Sequence, residues 1–152
     1  MKRLIWNLMS SAVLLVPGTV LAEPGPLTQR LDGIWIFRAI FPGQTQPVYT
    51  GTARFVGDGT FSGPSNDQHT GPTVGEWIRT GKGEFAFTFV ANTYDDAGNF
   101  RTTSRVRGMM ALSEDGLFAA GRTIVDIFDT AGQLILSRTT TFTGSRVVVE
   151  PF

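Results

Sequence analysis

Apolar positions in this chain recur every second residue. Phe85, Phe87 and Phe89 alternate with polar or small neighbours, and beyond Asp95–Gly98 the alternation resumes as Phe100, Thr102, Ser104 and Val106. That period predicts a β-hairpin with one apolar face. Setting Tyr94 opposite Asn99 across a four-residue loop places Thr93 against Phe100, Ala91 against Thr102 and Phe87 against Val106, so both strands turn their apolar sets to one side. Arg101, Thr103, Arg105 and Arg107 fall on the other side, as a solvated face allows. A lone hairpin is marginal in water, so further strands must cover the phenylalanines.

The same pattern fills the rest of the chain from Gly33. Gly33–Phe41 alternates Trp35, Phe37, Ala39 and Phe41. Val48–Val56 reads as a second strand, turned by Asp58-Gly59 into a short third, Thr60–Gly63. Thr73–Thr80 is the fourth, turned by Gly81-Lys82 into the fifth. The sixth ends at Ser113–Gly116, the seventh runs Leu117–Phe128, and Thr130–Gly132 leads into the eighth, Gln133–Val149. No stretch carries a convincing helical period. Eight consecutive strands with short turns predict an all-β, up-and-down antiparallel barrel, in which closure removes both edges. The connections after the first and third strands, Pro42–Pro47 and Pro64–Pro72, are the longer ones. They fall at the same end as Asp95–Gly98 and Asp129–Gly132, which makes that end the expected mouth.

The first 22 residues read differently. Lys2 and Arg3 precede an apolar run, Leu4–Val16, and Val20-Leu21-Ala22 forms a small-residue cleavage site, so residues 1–22 are expected to be a secretory signal peptide and the protein secreted or periplasmic, with no membrane span after cleavage. Residues 23–32 are a proline-broken lead-in and 33–152 the barrel. Without Lys2 and Arg3 the chain carries 11 basic and 13 acidic residues, and nothing in that balance points to nucleic acid. There is no cysteine, which excludes disulfides and thiolate chemistry.

Candidate chemistry is sparse. His69 is the only histidine, in a loop at the expected mouth, and no second histidine or cysteine is present to build an ordinary transition-metal site; no metal or other cofactor is expected. Asp95, Asp96 and Asn99 read as turn chemistry. If the alternation holds through the eighth strand, Arg138 falls on the inner face between Leu136 and Phe142, where an unpaired charge is costly; a register shift would instead place it outside in a surface pair, and the sequence leaves both open. A two-residue Gly81-Lys82 turn would send Glu76 inward as its partner, whereas a three-residue turn sends Gly75 and Trp77 inward; the sequence leaves both open. Continuing the inner face through the last two strands gives Leu117, Ala119, Gly121, Thr123, Val125 and Ile127, then Leu134, Leu136, Arg138, Thr140, Phe142 and Arg146.

Gly33-Ile34-Trp35 at the start of the first strand, with Arg146 near the end of the last, resembles the signature of lipocalins and the wider calycin superfamily. That resemblance implies that Trp35 packs under Arg146 to close the narrow end, with Gly33 beside them. The mature chain also resembles small secreted bacterial barrel proteins of unassigned activity that share G-x-W, D-G-T-F (Asp58–Phe61), G-x-W-x-R-T-G (Gly75–Gly81), R-V-R-G (Arg105–Gly108) and T-F-T-G-x-R (Thr141–Arg146). Unlike lipocalins, the chain has no paired cysteines, no T-D-Y motif and no C-terminal helix.

Three functions remain open on the sequence. The first is an exported barrel holding a small hydrophobic or amphipathic ligand against Phe87, Phe89, Phe100, Leu136 and Arg138. The second is a cyclase or isomerase similar to the allene oxide cyclase-like barrels, with Glu76, Arg138, Tyr49 or Tyr94 as the polar groups. The third is a filled barrel with a structural or partner-binding role. Interior volume separates the last from the first two. Oligomeric state is not encoded in any of these features.

Overall fold

The computed structural model describes residues 30–64 and 68–151; the expected leader, residues 1–22, and most of the expected lead-in lie outside them. Eight antiparallel strands close into one barrel in chain order: β1 (Gly33–Ile40), β2 (Tyr49–Phe55), β3 (Thr60–Gly63), β4 (Thr73–Gly81), β5 (Glu84–Tyr94), β6 (Phe100–Leu112), β7 (Phe118–Phe128) and β8 (Leu134–Arg146). Closure is made by β1 against β8, where Trp35 faces Arg146 and Ala39 faces Phe142. The described part of the chain is all-β, as the period-two pattern requires.

Three local irregularities set which side chains reach the interior. Between β4 and β5 the turn is Lys82-Gly83, with Gly83 at φ 72°, and Thr80 is an extra residue between the Arg79–Phe85 and Gly81–Glu84 pairs. That bulge resolves the open alternative: Trp77 packs inside against Phe55 and Phe85, and Glu76 is exposed on the outer face. Between β5 and β6, Asp95 heads a longer turn than expected, and Arg101 is extra between the Tyr94–Phe100 and Thr93–Thr102 pairs. Phe87 therefore faces Gly108 and Phe89 faces Val106, a slip of two residues from the expected register. A slip of two leaves each side chain on its original face, so the apolar side survives the correction. Between β7 and β8 the arrangement repeats, with Ile135 extra between the Phe128–Leu134 and Ile127–Leu136 pairs.

The interior divides into two layers. The lower end is solid: Leu31, Trp35, Phe55 and Phe85 are buried and Trp77 packs beside them, donating Nε1–H to the Val56 carbonyl at 3.0 Å. Trp35 donates its own Nε1–H to the Leu31 carbonyl at 2.9 Å, so the indole is buried with its polar edge satisfied. Above this plug, five phenylalanines form a closed collar. Phe37 meets Phe55 (6.1 Å between centroids), Phe55 meets Phe61 (4.8 Å), Phe61 meets Phe87 (6.4 Å), Phe87 meets Phe142 (5.8 Å) and Phe142 returns to Phe37 (5.6 Å). Each such pair adds about 0.5–1.5 kcal/mol beyond simple burial.

Three of the collar rings lie over inward glycines on the neighbouring strand. Phe37 is paired with Gly144, Phe142 with Gly121 and Phe87 with Gly108, and a Cβ on any of these glycines would fall within 2.3–2.7 Å of the ring. The rings lie flat against backbone that no other residue would expose.

Candidate functional site: an apolar cavity above the aromatic collar

Above the collar the barrel is hollow. The cavity holds about 320 Å³ and is lined by Phe37, Phe55, Phe61, Phe87, Phe89 and Phe142, with Met110, Val106, Val125, Ala39, Ala53 and Ala91 between them. Its polar lining consists of hydroxyls alone: Tyr49, Thr70, Thr73, Thr93, Ser104, Thr123 and Thr140. Thr123 and Thr140, both buried, are hydrogen-bonded to each other at 2.5 Å, and Thr93 to Thr102 at 2.6 Å. Paired hydroxyls let β-branched strand formers sit on an apolar wall without an orphaned group.

The mouth lies at the end bearing the longer connections. Phe41, Val48 and Tyr49 line it from the β1–β2 side, where Val48 N–H donates to the Ala39 carbonyl at 2.9 Å and ties the end of the connection back to β1. Across from it, the β3–β4 connection is pinned to the end of β5: Gly71 N–H donates to Asn92 and Tyr94 N–H to His69, at 2.8 and 2.7 Å. Thr70 is thereby held on the cavity wall.

The expected site residues separate into two groups. Phe87, Phe89 and Tyr49 line the cavity. Phe100 does not: it is 40% exposed and packs edge-on against Tyr94 at 6.4 Å, because the extra Arg101 displaces it from the inner row. Leu134, placed inward by simple alternation, is 56% exposed for the same reason, with Ile135 as its extra neighbour. Leu136 keeps an inner register opposite Ile127 but lies outside the cavity wall.

Arg138 also keeps the inner register, opposite Val125, yet it stands at the mouth and is exposed. Its guanidinium carbon lies 5.4 Å from the centre of the Phe41 ring, a cavity-lining residue. The Glu76–Arg138 pair that a two-residue turn would have allowed is not formed, since Glu76 stands on the outer wall between Thr60 and Thr88. An arginine at the rim keeps its hydration, so it needs no buried carboxylate.

His69 is on the rim as expected, its Nε2 within 3.6 Å of Asp96 and 2.9 Å from the Gln68 amide nitrogen. These residues, with Tyr94, Asp95 and Gly98, form a shallow polar depression beside the mouth. Among the described residues no three His, Asp or Glu side chains gather as a metal site requires.

At the opposite end, Arg146 lies over Trp35 with its guanidinium carbon 4.5 Å from the ring centre. It donates to the carbonyls of Gly116 (2.9 Å), Asp32 (2.6 Å) and Arg30. Burial pulls this guanidinium below the usual arginine range, against the opposing pull of Asp32. Gly33 has φ +131°, and a Cβ there would come within 3.0 Å of Arg146 Nη1. The G-x-W spacing thus has a physical cause: the glycine admits the guanidinium and the tryptophan supports it.

Alternation places Gly121 inward but does not show that Gly108, Gly121 and Gly144 each receive a phenylalanine ring, nor that a charged cluster forms on the outer wall. Asp126 is 4% exposed, accepting from Ser137 at 2.8 Å and Arg107 at 2.8 Å, with Arg105 at 3.4 Å. The Ser137 hydrogen bond, then the two arginines, holds this carboxyl below the usual carboxylate range. Alternation correctly turns Asp126 outward; only the register shows that arginines cover it.

No family model, no curated protein and no solved structure matches the chain.

Proposed function

We propose that the protein is an exported calycin-like carrier or sensor that holds one small, predominantly apolar molecule in the upper half of its barrel. The observation that carries this reading is the cavity itself: about 320 Å³, walled by phenylalanine rings and hydroxyls, and open between the long connections. That volume is at the small end of the range for ligand sites, and an eight-stranded barrel has room for one such guest. The Trp35–Arg146 closure supports the calycin-like assignment, and the leader-like first 22 residues support export.

The rival readings have less support. No carboxylate, histidine or lysine side chain lines the cavity among the described residues, which leaves the Tyr49 hydroxyl alone of the expected polar groups on its wall for a cyclase or isomerase. A filled barrel has no place for the hollow above the collar. An apolar lumen also differs from the polar interior of a membrane barrel.

Uptake of the neutral dye N-phenyl-1-naphthylamine by the chain from Glu23 onward tests the reading. Saturable binding of one dye per chain is expected, and Ala91→Trp, which fills the hollow from β5, should abolish it while the circular dichroism spectrum is unchanged. Absence of uptake by the parent, or equal uptake by the Trp variant, would overturn the proposal.

A further inference from the structure

We infer that the guest is an amphipathic acid, taken tail first, with its carboxylate held at the mouth by Arg138. The inference rests on the cavity reading above and adds the chemistry of the guest.

Arg138 is the cation that the barrel sets on the inner face of β8 at the level of the opening, across from Val125, and both Val125 and the Phe41 ring beneath the guanidinium belong to the cavity wall. Phe41 supports the guanidinium through its face, which leaves the planar N–H edge available to an acceptor. Arg138 makes no ion pair with a described residue. The described acidic groups around the rim are engaged elsewhere: Asp95 is salt-bridged to Arg101 at 2.7 Å, Asp96 lies beside His69, and Asp129 accepts from the Ala131 and Gln133 amides of its own turn. Asp126 is occupied by Arg105 and Arg107 on the outer wall.

Depth fits the same guest. Phe142 of the collar lies four residues on from Arg138 along β8, about 13 Å of strand. Between them the wall offers rings, methyls and hydroxyls and no charge. A buried carboxylate would find no cation inside, so the acid must remain at the rim, where a planar fork can meet it with two hydrogen bonds while the tail takes the apolar space.

Decanoate and 1-decanol, which share a tail and differ in the head, separate the claims by calorimetry or by displacement of the naphthylamine dye. The parent protein should prefer decanoate, and Arg138→Gln should weaken decanoate about five- to tenfold while leaving decanol unchanged, the modest size reflecting an exposed partner. Arg138→Lys should recover part of the loss, and raising salt from about 0.05 to 0.5 M should shrink the preference. Equal affinity of the parent for acid and alcohol, or a parallel loss of both in Arg138→Gln, would overturn the assignment of Arg138 while leaving the cavity reading standing. Binding of neither probe would overturn both.

Discussion

Phe87 lies across Gly108, its partner on β6, so closely that a Cβ on the glycine would sit 2.3 Å from the ring's Cζ and 2.8 Å from the Thr123 methyl. The ring cannot retreat downward, because Phe61 and Phe142 hold its other contacts in the collar. Gly108→Ala should therefore cost about 1–3 kcal/mol, the range for an extra methyl forced into a packed interior. Pairing it with Phe87→Leu should recover part of that cost. Denaturant melts of the two single variants and the double variant measure the coupling, and strict additivity would show that the ring and the glycine do not constrain each other.

Arg146 combines a stack on Trp35 with hydrogen bonds to three backbone carbonyls from Arg30, Asp32 and Gly116. Arg146→Ala would remove the stack and orphan partly buried acceptors, an expected loss of about 1–3 kcal/mol. Arg146→Lys keeps the charge and loses the planar fork, and should recover little of it. Thermal melts of both variants, read against Arg54→Ala on the exposed outer face of β2, give the comparison.

Acid stability should hinge on carboxylates at turns and on the outer wall. Asp32, Asp58, Asp95, Asp115 and Asp126 are all held below the usual carboxylate range, Asp126 mainly by Ser137 and then Arg107 and Arg105. A carboxyl depressed in the folded state contributes its full stability above the unfolded value near 4 and loses it as pH falls through the folded value. Melting temperature should thus be nearly flat from pH 7 to about 5 and fall below about 4. Asp126→Asn should be less stable than the parent at neutral pH, with the gap closing as the solution is acidified. A gap that stays constant down to pH 2.5 would show that the Asp126 charge makes no contribution.

Much of this fold was legible in alternation alone, because inward and outward sets differ by a single-residue step. Trp35, Phe87, Phe142 and Arg146 reach the interior as the period of two requires. Register was less legible: a slip of two preserves every face, so Phe87 against Val106 and Phe87 against Gly108 were equally consistent with the pattern. The bulges at Thr80, Arg101 and Ile135 explain the residues that alternation misplaced or left open, namely Glu76 or Trp77, Phe100 and Leu134. For Arg138 the alternation left the face open, and strand parity carries no information about distance from the mouth, where it stands. The hollow itself depends on how five rings meet, which no single strand encodes.

Two of those bulges follow the same turn, and this repetition carries the last prediction. Asp95-Asp96-Ala97-Gly98-Asn99 and Asp129-Thr130-Ala131-Gly132-Gln133 share an aspartate, an alanine and a glycine at matching positions. In each, the aspartate Oδ1 accepts from the backbone two and four residues on: 3.1 and 2.8 Å for Asp95, 2.9 and 2.8 Å for Asp129. Gly98 and Gly132 then take φ +80° and +77°, and the chain enters the next strand through the extra residue. The aspartate thus sets the turn, the turn sets the bulge, and the bulge sets the register that carries Arg138 to the rim. Asp129→Ala should cost about 1 kcal/mol through the two lost acceptor bonds, and Asp129→Asn, which keeps an acceptor oxygen, noticeably less. Faster amide exchange should appear from Ala131 to Arg138 and leave the collar strands around Phe87 and Phe142 protected. If the register depends on this turn, the alanine variant should also lose the preference for decanoate over decanol; unchanged exchange at Gln133 would show that the aspartate does not set the turn.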